Sequence, residues 1–169
     1  CSQANTGVGF QPDFIWDKNR ASGIHAWWDV IRGVTKQLQS NSTGAETTVS
    51  QLTSFDSDGF TINGPSDHGS GTNIVDWAWK AGGSGSANTD GDINSTVSVN
   101  QTAGFSIVSY TGSGTISDTV GHGLGTTPDL IILKNRDSGS AGWIVHHSSL
   151  SSNYGLQLQA TSAQFNSTG

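Results

Sequence analysis

The chain has 169 residues, a net charge of −6 and a pI of about 5.0, with only 7 Lys plus Arg. Nucleic acids and anionic membrane surfaces need clustered cations, so both are disfavoured as partners. No apolar run approaches the ~18 residues that span a bilayer as a helix.

There are 23 Gly, charged residues make up 12%, and Ser plus Thr about a quarter of the chain. That composition suits short strands joined by turns rather than long helices. The hydrophobic share is 33%, but six Trp and six Phe give a thin core its bulk. The single Cys, at position 1, allows no intrachain disulfide. The opening "CSQANTG" fits either a lipid-carrying N-terminal Cys or a boundary where a piece of a longer chain begins. The repeat described below favours the second.

In chain order, period-2 patterns and short apolar runs predict strands over 14–18, 26–31, 36–40, 59–62 and 74–81. A second set falls at 105–111, 129–134, 142–147 and 155–159. In "FIWDK", Phe14 and Trp16 share one face and Asp17 lies on the other. In "VDWAWK", Trp77 and Trp79 oppose Asp76 and Ala78. "DLIILK" is apolar on both faces and predicts a buried central strand. "WWDVIRGVTKQL" could be read as a helix, but its β-branched residues and Gly33 weigh against one. Segment 82–96, rich in Gly, Ser, Asn and Asp, reads as a flexible connection.

"PDFIWDKNR" at 12–20 returns as "PDLIILKNR" at 128–136, an offset of 116. At that offset Gly7, Gly9 and Ser22 meet Gly123, Gly125 and Ser138, and Trp27 meets Trp143. With two residues inserted, Leu38 meets Leu156 and Ala45 meets Ala163. A period of this length is that of a domain, not of a solenoid coil. The expected organisation is a first β-sandwich repeat at 1–81, a linker at 82–96 and a second repeat at 97–169. Each repeat lacks a part the other has, which reads as a fragment cut at both ends. The expected fold class is all-β, a sandwich of jelly-roll or lectin-like type.

The candidate sites are few. Asn88, Asp90, Asp92 and Asn94 alternate in "NTDGDIN" and could offer oxygens to calcium, but the order of an EF-hand loop is missing and a solvated linker is the stronger reading. The five His show neither an H-x-x-x-H nor a C-x-x-C spacing, and no G-x-S-x-G elbow frames a Ser. Enzymatic activity is not expected. Trp28, Trp77 and Trp79 are candidates for stacking on sugar rings, against the alternative that they fill the core. Trp27 and Trp28 are adjacent in a strand, so one should be inside and Trp28 partly exposed.

The joined motifs "GVGFQPDFIWDKNR", "DVIRGVTKQLQSNSTGAE", "LTSFDSDGFTI", "GSGTNIVDWAWKAGG", "AGFSIVSYTGSGT" and "TVGHGLGTTPDLIILKNR" resemble a tandem-repeat domain of large marine tailed-phage virion proteins, including those of cyanophages. The resemblance covers nearly the whole chain. It implies a virion or extracellular location and a structural tail-fibre or appendage role, with other virion proteins or further copies of itself as partners. Homo-oligomers and attachment to host-surface glycans are also implied, with no catalytic residues and no cofactor beyond the calcium candidate. The alternative from the Trp set and the "CSQ" opening is a carbohydrate-binding module of a secreted or lipid-anchored bacterial surface protein.

Overall fold

The computed structural model describes residues 2–21, 23–64, 68–69 and 71–166, so Cys1 and Ser22 lie outside the described residues. These residues form strands and no helix, in an all-β, sandwich-like architecture. Among the described residues no helix is long and apolar enough to cross a membrane.

The central layer is a five-stranded antiparallel sheet. Its strands are β2 (Phe14–Asn19), β3 (His25–Asp29), β4 (Lys36–Gln39), β5 (Thr47–Thr48) and β8 (Ile74–Trp79), in the order β5-β4-β3-β2-β8. On one side lies a three-stranded sheet of β1 (Ser2–Thr6), β7 (Gly59–Asn63) and β6 (Leu52–Asp56). Ile15, Ala26 and Trp28 pack against Leu52, Phe60 and Ile62 between these two sheets. The close approach of β1 to β7 requires Gly59, because a Cβ there would stand 1.8 Å from the Asn5 carbonyl oxygen.

The opposite face carries Phe14, Trp16, Trp27, Trp77 and Trp79, and it too is covered. Phe105 of β11 (Phe105–Tyr110) lies 5.9 Å from Phe14 and 6.1 Å from Trp79, centroid to centroid. β11 pairs with β10 (Ser95–Asn100), which pairs with β9 (Ser86–Asn88). A four-stranded sheet completes the molecule: β12 (Leu130–Leu133), β13 (Ile144–His147), β14 (Tyr154–Gln157) and β15 (Phe165–Asn166).

All nine predicted strands are present to within a few residues, and four expectations change. Segment 82–96 is not a loose connection, since it contains β9 and the start of β10. Asp13 Oδ2 accepts from the amides of Ala81 at 2.8 Å and Gly83 at 3.2 Å, and Ser98 Oγ donates to the Gly83 carbonyl at 2.6 Å. Trp28 is 1% exposed rather than half out. Adjacent strand residues do face opposite ways, but this sheet has neighbours on both faces, so Trp27 and Trp28 are both buried. "DLIILK" is not a central strand: β12 is the outer strand of its sheet.

The fourth change concerns the alignment of Trp27 with Trp143. The ladder β2–β3 pairs Phe14 with Asp29, Trp16 with Trp27 and Asp17 with Ala26. The ladder β12–β13 pairs Leu130 with His147, Ile132 with Val145 and Leu133 with Ile144. Shifting the first strand by 116 and the second by 118 maps one ladder on the other. The same shift of 118 carries Trp27↔Leu38 to Val145↔Leu156, and Gln37↔Thr47 to Gly155↔Phe165. Val145, not Trp143, therefore occupies the place of Trp27, and the two extra residues fall in the turn between β12 and β13. The shared "KNR" has a common geometry as well. Asn19 Oδ1 and Asn135 Oδ1 each accept from the amide two residues on, at 3.0 Å, turning the chain out of the strand.

Candidate functional site

The turn after β12 packs against the segment 39–46 that follows β4. Trp143 is buried with its ring 4.6 Å from that of Trp27, and its Nε1 donates to the carbonyls of Gln39 at 2.9 Å and Ser42 at 3.0 Å. Lys134 Nζ donates to Thr43, Asn135, Ser138 and Ala141 carbonyls at 2.8–3.1 Å, and burial lowers its pKa. Arg136 makes a two-pronged contact with Glu46, Nε to Oε2 and Nη2 to Oε1, each 2.9 Å. Burial would raise the Glu46 carboxyl, but the hydrogen bonds and charges of Arg136 and Arg32 hold it below its usual range.

Trp143 starts an aromatic row. Trp27 meets Trp16 at 5.1 Å and Trp16 meets Trp77 at 5.4 Å. Trp77 ends the row on edge strand β8 and is 45% exposed. Trp79 is half-buried, wedged between Phe14 and Phe105. Of the three Trp candidates, then, Trp77 is the most exposed, with close to half of it open and Trp16 holding it from behind. An exposed, preoriented indole can stack on the apolar face of a sugar.

A second constellation lies on the opposite face of β2 and β8. Asp17 and Asp76 stand directly across the ladder from each other. His68 Nε2 lies 2.7 Å from Asp17 Oδ2. Burial, with the hydrogen bond and charge of Asp17 adding to it, pushes the Asp76 carboxyl up to about 8. Asp76 therefore keeps its proton at neutral pH and donates it to Asp17. Asp76 and His68 border a cleft of about 430 Å³ that also touches Gln3, Asn5 and Thr72. The two carboxyls are hydrogen-bonded to each other, closer than the ~5–9.5 Å that glycoside hydrolysis places between its acid and its nucleophile or base. Asp17 itself is sealed from solvent. The geometry is that of a proton-sharing structural pair. The sequence did carry a signal for it, an Asp opposite the aromatic face in both "FIWDK" and "VDWAWK".

The calcium candidates sit in the turn between β9 and β10. Asn88 Oδ1 accepts from the Asp90 amide at 2.7 Å, and Asp92 Oδ2 accepts from the Thr119 amide and hydroxyl at 3.0 and 2.7 Å. These bonds hold the Asp92 carboxyl below its usual range and tie the turn to 119–121, where Ile93 bridges Val120. Asn88 and Asp92 thus use side-chain oxygens to close the turn. Asp90 contributes its carbonyl, which accepts from the Gly121 amide at 2.8 Å. Asn94 follows in the same turn. Among the described residues no group of three or more His, Cys, Asp or Glu is arranged to hold a metal.

One family model covers residues 1–169, that described as Domain of unknown function (DUF7483). The chain belongs to that family. No curated protein and no solved structure matches it. Family membership therefore comes without a described activity, and the functional reading rests on the ladders and the aromatic row.

Proposed function

We propose that the chain is a non-enzymatic structural module of a phage virion, part of a tail fibre or of a capsid or tail appendage, built from tandem homologous β-sandwich units. The observation that carries this reading is the matched register of β2–β5 and β12–β15. A ladder reused within one chain is the economy of an extended array, in which each unit packs on its neighbour. The sequence resemblance to marine-phage virion proteins supplies the setting. Acidic charge and buried carboxylates, rather than an open reactive pair, agree with a role in structure. Mass spectrometry of purified virions from a phage encoding the chain tests it. The peptide set should appear in stoichiometric amount with other structural proteins, and its absence from intact virions would overturn the reading.

Exposed Trp77 favours a second reading, a glycan-contacting surface on a virion fibre or on a secreted or lipid-anchored bacterial protein. Trp77→Ser should abolish binding to any glycan retained on an array while leaving the chain folded, with a loss of about 1–2 kcal/mol because the covered half of the ring packs on Trp16. A wild-type chain that retains no glycan, or a variant that binds as well as wild type, counts against this reading.

A further inference from the structure

Two glycine loops of this chain share a backbone shape and differ in their partners. Gly7-Val8-Gly9 precedes β2, and Gly123-Leu124-Gly125 stands 116 residues on, ahead of β12. Gly7, Gly9, Gly123 and Gly125 have φ of +87°, +82°, +73° and +73°, where a side chain is strained. In the first loop all three amides donate to Asp58. Gly7 reaches Oδ2 at 3.0 Å, Gly9 reaches Oδ1 at 2.7 Å, and Val8 reaches the main-chain carbonyl at 3.3 Å. The Gly9 and Gly7 amides hold the Asp58 carboxyl below its usual range. Neighbouring backbone N–H groups gathered in this way form an anion-binding concavity.

The second loop has the amides without the acid. The Leu124 amide donates to His122 Nδ1 at 3.2 Å, inside the loop itself. Among the described residues the Gly123 and Gly125 amides donate to no protein acceptor. Other bonds tie the loop down through its carbonyls. Gln101 Nε2 donates to that of Gly123 at 2.7 Å, and the Ser106 hydroxyl to that of His122 at 2.6 Å. The glycine amides are left over, and both glycines line a cleft of about 710 Å³ that Asp90, Gln101, Thr126 and Thr127 also border.

We propose that Gly123 and Gly125 form a carboxylate cradle, and that the cleft takes a small monocarboxylic acid bearing hydroxyl groups, of the hexuronic acid class. The carboxylate is assigned by what the matching pair of amides holds at Asp58. A free acid fits better than an aspartyl turn. Asp58 brings its own main-chain carbonyl to the middle amide, and in the second loop His122 already takes that amide. The hydroxyls follow from the rest of the cleft, where Gln101, Thr126, Thr127 and Asp90 mix donors with acceptors. Asp90 also repels further negative charge, so one carboxylate fits and a polyanion does not. The cradle stands apart from the virion reading and from the Trp77 surface.

The test is a titration of the full chain at pH 7 and constant ionic strength with glucuronate, acetate and glucose, read at each backbone amide by NMR. Glucuronate should shift the Gly123 and Gly125 amides saturably, with half-saturation on the order of 1–10 mM. Acetate, which lacks the hydroxyls, should saturate the same amides about tenfold more weakly. Glucose should move neither, and Gly7 and Gly9, already holding Asp58, should stay still throughout. Gly125→Ala leaves room for the methyl, whose nearest neighbour is Gln101 Nε2 at 3.5 Å, but strains a φ of +73°. It should weaken glucuronate about tenfold by turning the amide out of place. If that variant is unstable, Thr126→Val should weaken glucuronate about threefold and leave acetate unchanged. Unmoved Gly123 and Gly125 amides at about 100 mM glucuronate would overturn the proposal. So would equal shifts with glucose. Tighter binding by a peptide of residues 54–60 than by glucuronate would overturn it too, by putting an aspartyl turn in the cradle.

Discussion

Trp143→Ala should lower the unfolding free energy by about 3–5 kcal/mol, the range for removing a large buried aromatic. The ring fills the space between Trp27, Leu38 and Ile132, so its loss opens a cavity where the two ladders meet. It also removes the indole donor shared by the Gln39 and Ser42 carbonyls; the Gln39 carbonyl keeps the Ser42 amide at 3.2 Å, so the added cost falls on the half-buried Ser42 carbonyl and is about 1 kcal/mol. Trp143→Phe separates the two parts, keeping most of the packing and losing only the donor. Urea unfolding followed by far-ultraviolet dichroism measures both. The decisive feature is cooperativity. With Trp143 the chain should unfold in one transition, and with Ala the second ladder should melt first. A single transition with unchanged midpoint in Trp143→Ala would mean the ladders do not depend on this contact.

The second large effect is pH-dependent. The Asp76 carboxyl is raised from 3.8 to about 8 in the folded protein, facing Asp17 on β2 and His68 beyond it. Below pH ~4 folded and unfolded states both hold the proton. Between ~4 and ~8 the folded state keeps a proton the unfolded state has released, so stability falls as pH rises, by at most ~1.4 kcal/mol per unit. Above 8 the loss is complete. Asp76→Asn keeps a donor toward Asp17 and removes the titration. Relative to wild type it should be nearly neutral at pH 4 and more stable by on the order of a few kcal/mol at pH 9. Urea midpoints across pH 4–9 give the difference curve. Parallel curves for the two proteins would contradict the proton-sharing geometry.

Much of this fold can be read from residue pattern. The alternation in "FIWDK", "VDWAWK" and "GLQLQ" locates β2, β8 and β14, because each has one face aimed at a dry layer. β10 is harder to see. "STVSVN" is half polar and follows a run of Gly, Asn and Asp, so it reads as the end of a connection. Its partner Phe105–Tyr110 is the better signal, since a lone strand cannot satisfy its own backbone. β1 has no large apolar residue at all and is held by its backbone pairing to β7.

The errors have physical causes too. Chemistry local to a strand reports which faces are apolar, not what stands beside them. "WW" correctly implies opposite faces for Trp27 and Trp28, but not that both faces of that sheet are buried. "DLIILK" correctly implies an apolar strand, but its edge and one face are open because no strand or sheet lies there among the described residues. The matching of the two ladders is foreshadowed by the identities between 12–20 and 128–136. The place of the two-residue insertion is not, because a Trp two positions early imitates the aligned one.

The central claim is that one ladder occurs twice in the same register, closed at β2 by β8 and open at β12. Residue-resolved amide hydrogen exchange on the full chain tests it most directly. Ile15, Asp17, Ile131 and Leu133 should be protected, since each points into its own ladder. Phe14 and Trp16 should be protected by β8, while Leu130 and Ile132 exchange freely. Equal protection of Ile132 and Trp16 in the monomer, or fast exchange at Ile131 and Leu133, would contradict the account.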